Sequence, residues 1–388
     1  MDITPLGDLD DLVVGGGVVG LSAAWRLARA GRRVAVADPA PASGASHAAA
    51  GMLAPVSEVG YTEEPLLRLG AASLERWPAF AAELADDAGL GSANALDYRA
   101  DGTLDVAFGA DDLAALDELA AFMDKLGLPV ERLTGRECRR LEPMLAPSVR
   151  GGLHAPDDAW VDPRRVTAAL LAALRHLEVP ILTSRASLLP SGLPSGLPSG
   201  TAVRPASSGA VRLADGREVG AGRIVLAAGA WSGELAGVPV RPVKGQIMRL
   251  RSPQPLLGRC VRGMVHGLPV YLVPRGDGEL VVGATQEELG FDTRVTAGGV
   301  YELLRDAREL VPGVTELEVA DVVAGLRPGT PDNLPLIGPD ATSGVTLATG
   351  HHRGGVLLAP LTAAILLGEE PELGALCSPR RFTNRDER

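Results

Sequence analysis

The hydrophobic pattern changes its period near the start of the chain. A short apolar run at 12–14 leads into the glycine motif GGGVVG at 15–20. Apolar residues then recur at helical spacing from 21 to 30, and a second apolar run at 34–37 ends at Asp38. Short continuous apolar runs indicate buried strands, and a period near 3.6 indicates a helix. The pattern therefore predicts a strand, a glycine turn, a helix and a second strand.

Each glycine of this motif has a separate task in a dinucleotide-binding turn. Gly15 would make the tight turn, Gly17 would let backbone approach a pyrophosphate, and Gly20 would let the helix pack closely on the strand. The helix N-terminus would face the phosphates with free N–H groups. Asp38 would bind ribose hydroxyls and repel a 2′-phosphate, which favours FAD or NAD over NADP. An ordinary glycine-rich turn is the alternative, but the flanking elements favour a dinucleotide.

Helical and strand patterns continue through the rest of the chain. Helices are predicted at 65–88, 111–126, 134–141, 163–176 and 300–310. Strands are predicted at 179–183, 210–213, 223–227, 240–250, 270–274, 279–283, 316–323 and 347–349. Residues 95–108 alternate around Gly102 and predict a hairpin. The sequence therefore predicts an α/β cofactor domain and a second domain built on a larger antiparallel sheet.

Several segments rich in small residues could lie against a flat ligand. The passage 46–52 could be a flexible loop, or its alanines and glycine could let backbone run close over a ligand. The strand at 224–231 ends in small residues. This ending is expected for a parallel strand that stops against a bound dinucleotide, and also for any buried strand followed by a glycine turn. Residues 325–333 predict a rigid polar turn. Residues 350–355 predict a second glycine-rich turn before a helix that begins near Gly354, whose N–H groups suit the anionic edge of a reduced flavin.

Composition limits the classes of partner and compartment. The 388 residues suit about two domains, the net charge is −11, and no basic run favours nucleic acid or an anionic membrane. The acidic N-terminus resembles no targeting peptide, and the apolar run 356–367 is shorter than the ~20 residues of a membrane span. Cys138, Cys260 and Cys377 are far apart and predict reduced thiols in a cytoplasmic protein. The Pro/Gly/Ser repeat at 191–200 predicts a solvated loop.

Six motifs together carry a resemblance to a known family. They are GGGVVG at 15–20, SHAAAGMLAP at 46–55, LAAGAWS at 226–232, PVKGQ at 242–246, GLRPGTPD at 325–332 and GHHRGG at 350–355. With these motifs the chain resembles the glycine oxidase branch of the D-amino-acid oxidase family of flavoproteins. The resemblance covers most of the chain.

The resemblance implies a two-domain flavoprotein. A Rossmann-like FAD-binding domain of the glutathione-reductase type would comprise 1–90, 145–235 and 325–388. A mainly antiparallel-sheet substrate domain would comprise 91–144 and 236–324. No cysteine lies near the turn at 325–332, where related sarcosine oxidases attach their flavin, which argues for non-covalent FAD.

The resemblance also implies a reaction. Glycine, sarcosine or a small D-amino acid would be oxidised to its imine or 2-oxo acid and ammonia, and oxygen would become hydrogen peroxide. The glycine imine would supply the thiazole of thiamine, with a hand-off to thiazole synthase, and the enzyme would be a homo-oligomer, a tetramer in the family. Alternatives are a D-amino-acid dehydrogenase, a sarcosine oxidase-like enzyme, an NAD dehydrogenase and a non-catalytic flavin-binding protein.

Three residues are predicted to act on the substrate. Arg327 would bind its carboxylate, because a guanidinium matches both oxygens. Tyr271 matches the family's substrate tyrosine and would donate its hydroxyl to the same group. Arg353 would contact either substrate or flavin. Lys244 could assist oxygen by its charge or could form a structural ion pair.

The predicted cofactor-binding residues lie in the glycine-rich segments. They are Gly15, Gly17, Val18, Val19, Gly20, Asp38, Pro39, Ala45, Ser46, Ala50, Gly51, Met52, Arg185, Gly229, His351, His352, Arg353, Gly354, Gly355, Val356 and Leu357. The two histidines would pack beside the flavin or cap backbone, and no third ligand with suitable spacing predicts a metal site. Pro269 and Gln286 lie near the expected substrate wall and leave the preferred amino acid open.

Overall fold

Two large sheets organise the part of the chain that the computed structural model describes, residues 8–58, 63–189 and 209–383. The predicted loop at 191–200 and the first seven residues lie outside these ranges. The strands are β1 Leu9–Val14, β2 Val34–Ala37, β3 Met52–Leu53, β4 Thr103–Ala107, β5 Glu131–Thr134, β6 Gly151–Ala155, β7 Ala159–Trp160, β8 Ile181–Leu182, β9 Ala186–Leu188, β10 Gly209–Leu213, β11 Glu218–Leu226, β12 Arg241–Arg251, β13 Cys260–Val265, β14 Leu268–Pro274, β15 Glu279–Gly283, β16 Glu318–Gly329, β17 Leu336–Pro339 and β18 Thr346–Thr349.

Helices cover both sheets. They are α1 Val18–Arg29, α2 Ala45–Ala48, α3 Glu64–Leu74, α4 Trp77–Asp87, α5 Ala110–Lys125, α6 Gly135–Leu141, α7 Pro163–His176, α8 Ser232–Ala236, α9 Ala297–Leu310, α10 Ala359–Leu367, α11 Pro371–Leu376 and α12 Arg380–Thr383. Single 3₁₀ turns lie at Ala93–Leu96, Gly229–Trp231, Pro312–Glu316 and His352–Gly354.

The first sheet is built around β1. Its strand order is β17-β18-β11-β1-β2-β8, in which β18, β11, β1, β2 and β8 are parallel. In β1, Val13 pairs with Val225 on one side and with Val36 on the other. Strands buried on both faces need continuous apolar runs, as this sequence has. Helices α7 and α10 pack against α1, whose fully buried Trp25 meets Phe80 edge to face with ring centroids 5.1 Å apart.

The second sheet is mainly antiparallel. Its order is β16-β12-β15-β14-β13-β4-β6-β5, and β4 with β13 is its parallel pair. Helix α9 packs on one face, where Leu303, Ala307 and Leu310 join the apolar core of this sheet. The predicted fold class, a Rossmann-like α/β domain with a mainly antiparallel second sheet, is confirmed.

Two local predictions are wrong. The single helix expected at 65–88 is two helices, α3 and α4, because the chain turns between them and both helices carry proline in their first turn. The hairpin expected at 95–108 does not form. Instead, β4 pairs in parallel with β13 and antiparallel with β6, and Arg99 bridges to Trp160. Strands distant in sequence take these partners, so alternation alone could not identify them.

The segment 325–333 also differs from its prediction. Its first half, Gly325–Gly329, is the end of β16 and pairs with β12, Arg327 lying opposite Val243. A proline is tolerated there because β16 is the edge of its sheet, so the missing N–H of Pro328 leaves no ladder bond unmade. The helix predicted to begin near Gly354 begins at Ala359.

One strand crosses the predicted domain boundaries. Strand β6 lies within 145–235, the range predicted for the FAD-binding domain, yet it pairs between β4 and β5 in the second sheet. The remaining boundaries stay a prediction. In the described ranges, no helix has both the length and the hydrophobicity to cross a membrane.

Gly20 gives a stability prediction. A Cβ atom at this position would lie 2.0 Å from the carbonyl oxygen of Gly15, which is backbone and cannot rotate away. Gly20→Ala should therefore push α1 off β1 and lower the free energy of unfolding by about 3 kcal/mol, measured by urea denaturation.

Gly298 in the first turn of α9 is the matched control. Nothing lies within 4 Å of the position its Cβ would take, and its φ is not positive. Gly298→Ala should keep or slightly raise the wild-type stability, because alanine favours a helix more than glycine does. Equal stability of the two variants would contradict the close packing of α1 on β1.

Candidate active site

A cavity of about 1200 Å³ lies between the two sheets. It brings together most of the residues predicted to bind cofactor or substrate. These are Gly15, Gly17, Val18, Val19, Asp38, Pro39, Ala45, Ser46, Ala50, Gly51, Met52, Arg185, Gly229, Tyr271, Arg327, His351, His352, Arg353, Gly355 and Val356. Three predicted cofactor residues, Gly20, Gly354 and Leu357, do not line it. Gly20 packs against the Gly15 carbonyl, and the other two line a small neighbouring hollow.

The glycine turn presents the start of α1 to the cavity. Gly15 has φ +117°, which L side chains rarely adopt. The backbone N–H of Val18 donates to the Ser46 hydroxyl at 2.9 Å. At the end of β2, the Asp38 carboxylate accepts from the N–H of Gly16 at 2.6 Å and of Ala40 at 2.7 Å. This edge therefore combines a helix N-terminus with a carboxylate that retains lone pairs toward the cavity.

Arginine side chains hold the small-residue passage 46–52 in place. Arg164 donates to the carbonyl of residue 47 at 3.0 Å, and Arg249 donates to that of residue 49 at 3.3 Å. Arg275 donates to the carbonyl of residue 50. Gly51 has φ +83°, and a Cβ there would lie 2.0 Å from the Val161 carbonyl oxygen. Of the two interpretations left open, the structure supports backbone held along the cavity wall.

Arg327 projects from β16 toward the cavity and is held by backbone. Its Nη1 donates to the carbonyl oxygens of Thr285 at 3.2 Å and of Lys244 at 3.5 Å. A Cβ at Gly245 would lie 2.3 Å from that same nitrogen, so only glycine leaves this space free. Within the described ranges, no carboxylate forms an ion pair with Arg327. The half-buried guanidinium therefore keeps an uncompensated positive charge.

Tyr271 lies on β14 beside this guanidinium. A Cβ at Gly283, its partner on β15, would lie 2.5 Å from the phenol oxygen. Burial raises the pKa of Tyr271, and the neighbouring Arg327 charge opposes that rise. Tyr271 is therefore a neutral hydroxyl donor at physiological pH.

Arg353 is paired with an acid. Its Nη2 forms an ion pair with Glu63 and donates to the Glu58 carbonyl oxygen at 3.2 Å. The other oxygen of Glu63 accepts from the Asn333 amide at 2.8 Å. The charge of Arg353 is thus compensated, unlike that of Arg327.

The two histidines of GHHRGG have different surroundings. Burial lowers the pKa of His351 to about 3, and its Nε2 lies 2.8 Å from the Thr362 hydroxyl. Burial and the nearby arginine charges lower the pKa of His352 to about 4. The buried Nδ1 of His352 has no hydrogen-bond partner among the described residues. Both imidazoles are neutral at physiological pH.

Lys244 is fully buried and does not line the cavity. Its Nζ lies 3.3 Å from a carboxylate oxygen of Glu287, and the two backbones exchange hydrogen bonds of 2.8 and 2.9 Å. Of the two interpretations, the geometry supports the structural ion pair.

Comparison with known proteins decides the family. The family model of FAD-dependent oxidoreductases, abbreviated DAO, matches residues 10–367. This chain belongs to that family. The glycine oxidase of Geobacillus kaustophilus is 34% identical over 365 residues, covering 92% of this chain and 91% of that protein. Its crystal structure superposes with a TM-score of 0.82 at 32% identity, covering 93% and 94% of the two chains.

Other relatives in the family are longer. The bifunctional protein ThiO/ThiG of Trichormus variabilis is 33% identical over 360 residues, which cover 92% of this chain. The match covers 52% of that protein, so the chain spans about half the length of the first curated relatives it matches.

Three features of the cavity fit FAD, the cofactor of this family. The start of α1 offers N–H groups for a pyrophosphate, and Asp38 offers carboxylate oxygens for a ribose. The orphaned Nδ1 of His352 needs a partner that a bound cofactor would supply. Cys138, Cys260 and Cys377 are buried free thiols outside the cavity lining, which supports the prediction of non-covalent FAD.

Three residues near the flavoprotein cavity were missed by sequence reasoning. Glu58 and Arg262 line it, and the Arg262 guanidinium donates to the Ser57 carbonyl at 2.6 Å. Buried Asp158 accepts from the N–H of Ser57 at 3.3 Å and from its hydroxyl. The local pattern that could have identified Arg262 is a single arginine within the otherwise apolar strand β13. Nothing local marks Asp158, because its partners are about a hundred residues away.

Asp158 gives a prediction for the pH dependence of stability. Burial raises its pKa to about 7, against the hydrogen bonds from Ser57 and Val56 and the charge of Arg262. The folded state therefore binds this proton more tightly than the unfolded state. The stability that protonated Asp158 contributes is present at low pH. It is lost as the pH rises from about 4 to about 7, by ~1.4 kcal/mol per pH unit. Asp158→Asn should remove this loss, measured by urea denaturation from pH 5 to pH 8.

Exposed Asp157 provides the matched control. Asp157→Asn should keep the wild-type pH dependence. A stability difference between wild type and Asp158→Asn that stays constant from pH 5 to pH 8 would refute the raised pKa.

Proposed function

We propose that this chain is an FAD-dependent oxidase that converts glycine to its imine and reduces oxygen to hydrogen peroxide. Hydrolysis of the imine would give the 2-oxo acid and ammonia. The proposal rests on the uncompensated guanidinium of Arg327, which faces the cavity next to the Tyr271 hydroxyl. A half-buried charge without an acidic partner is costly, and a substrate carboxylate would satisfy it through two parallel hydrogen bonds.

The residues would act mainly by positioning. Arg327 and Tyr271 would hold the carboxylate, which fixes Cα for reaction once the amine is neutral. FAD, when bound, supplies the hydride acceptor. Two backbone carbonyls already orient Arg327, so little order is lost on binding. A separate catalytic base is not required for such a transfer.

The relatives support the choice of substrate. A glycine oxidase at 34% identity favours glycine over sarcosine and small D-amino acids. Relatives named bifunctional ThiO/ThiG support a hand-off of the imine to thiazole synthase for thiamine. Three buried free thiols suit the reducing cytoplasm, where we propose that the enzyme acts. We also propose that the enzyme is a homo-oligomer, as the family resemblance implies.

Anaerobic addition of glycine to the purified yellow protein tests the reaction. The visible flavin band should bleach and return rapidly when air is admitted, with one peroxide per glycine. Bleaching with slow return in air would indicate a dehydrogenase instead. A band unchanged by glycine would remove the glycine assignment, and sarcosine and D-alanine would then be compared.

Arg327→Ala tests the carboxylate contact. The loss of a charge-assisted bidentate contact should reduce kcat/KM for glycine by roughly 3 kcal/mol, more than a hundredfold. Exposed Arg308 on α9 is outside the cavity lining, so Arg308→Ala is the matched control and should keep full activity. Similar kinetics for the Arg327 variant and the control would exclude Arg327 as the carboxylate ligand.

A further inference from the structure

The acidic residues that line the cavity differ in how their charges are satisfied. The carboxylate of Asp38 accepts two backbone N–H groups. Glu287 pairs with Lys244, and Asp306 pairs with Arg305. Glu234 and Glu302 are exposed to solvent at the edge of the cavity. None of these carboxylates therefore depends on the ammonium group of a substrate for a partner.

Glu58 is the exception. It is half-buried in the cavity wall. Its carboxylate has neither a hydrogen bond nor an ion pair with any residue that the structure describes. Arg262 is near, but its guanidinium donates to the Ser57 carbonyl at 2.6 Å and lies 3.9 Å from Asp105. The negative charge of Glu58 therefore stays available inside the cavity.

The backbone that carries Glu58 is held at several points. Its N–H donates to the Ala54 carbonyl at 3.0 Å, and its own carbonyl accepts from Arg353 at 3.2 Å. The preceding Ser57 is bound by Asp158 and by Arg262. The position of the carboxylate is thus fixed by its backbone, while the carboxylate itself is unbonded. Such an arrangement suits a ligand-binding group, because its orientation is prepared before binding.

Glu58 and Arg327 act on the same part of the cavity. Arg262, which donates to the Ser57 carbonyl next to Glu58, lies directly opposite Tyr271 in the β13–β14 pair, and all of these side chains line one cavity with Arg327. Burial raises the pKa of Tyr271, the neighbouring Arg327 charge opposes the rise, and the Glu58 charge adds to it. One unpaired positive group and one unpaired negative group therefore lie near one hydroxyl. An amino-acid zwitterion carries the complementary pair of charges.

We propose that Glu58 binds the ammonium group of the substrate while Arg327 binds its carboxylate. The inference rests on the proposed oxidation of an amino acid and makes the site selective for zwitterions. A simple carboxylate, which lacks the ammonium group, would gain the contact with Arg327 and be repelled by Glu58. The opposite effects on the two kinds of ligand give the proposal a distinctive signature.

The test compares glycine with acetate in wild type, Glu58→Gln and Glu58→Asp. Acetate binding is measured from the change in the flavin spectrum, and glycine binding from the concentration dependence of anaerobic flavin reduction. In Glu58→Gln, the Kd of glycine should rise about tenfold or more, and the Kd of acetate should stay constant or fall. Glu58→Asp keeps the charge and should lie between wild type and the amide variant.

If Glu58 had a purely structural role, Glu58→Gln would weaken the binding of glycine and of acetate together, and this result would overturn the proposal. Unchanged glycine binding in Glu58→Gln would also overturn it. Exposed Glu309 on α9 is outside the cavity lining, and Glu309→Gln controls for the loss of one negative charge. If glycine fails to reduce the wild-type flavin, the proposed oxidation fails. The zwitterion site is then judged by the displacement of acetate by glycine in wild type and Glu58→Gln.

Discussion

The structure depends on guanidinium groups that hold backbone carbonyls across the space between the two sheets. The passage 46–52 has few side chains of its own to fix it, and its carbonyls are bound by Arg164, Arg249 and Arg275. Arg249 and Arg275 are almost completely buried. Charged donors bind carbonyls more strongly than neutral donors, particularly away from water. Arg249 on β12 and Arg275 directly after β14 thereby connect the second sheet to this wall of the cavity.

The charge that each side chain presents to the cavity depends on whether that side chain already has an ion-pair partner. Arg353 is compensated by Glu63, and Lys244 by Glu287, so neither carries a free charge into the cavity. Arg327 is held by neutral groups, the carbonyls of Lys244 and Thr285 and the Tyr271 phenol. Unpaired charge in a partly buried site attracts a ligand of opposite sign, because pairing offsets the cost of desolvation. The selectivity of the site therefore depends as much on the paired ions as on the unpaired ones.

Two glycines leave space for the side chains of Arg327 and Tyr271. Gly245 leaves room for the Arg327 guanidinium, and Gly283 leaves room for the Tyr271 ring. Both glycines lie within strands, where glycine usually weakens a sheet. Their presence is explained by the close approach of a large side chain from the neighbouring strand.

The sequence by itself determined the glycine turn, the parallel strands beside it, the family and most residues of the cavity. Those features have local signals, since the turn needs positive φ at Gly15 and close packing at Gly20. Only the tertiary structure decided that β4 pairs with β13 and that Arg327 lies in a strand. It alone decided which ions are paired, because Arg353 and Glu63 are 290 residues apart. Pairing across such separations depends on where the sheets bring side chains together, which local patterns do not specify.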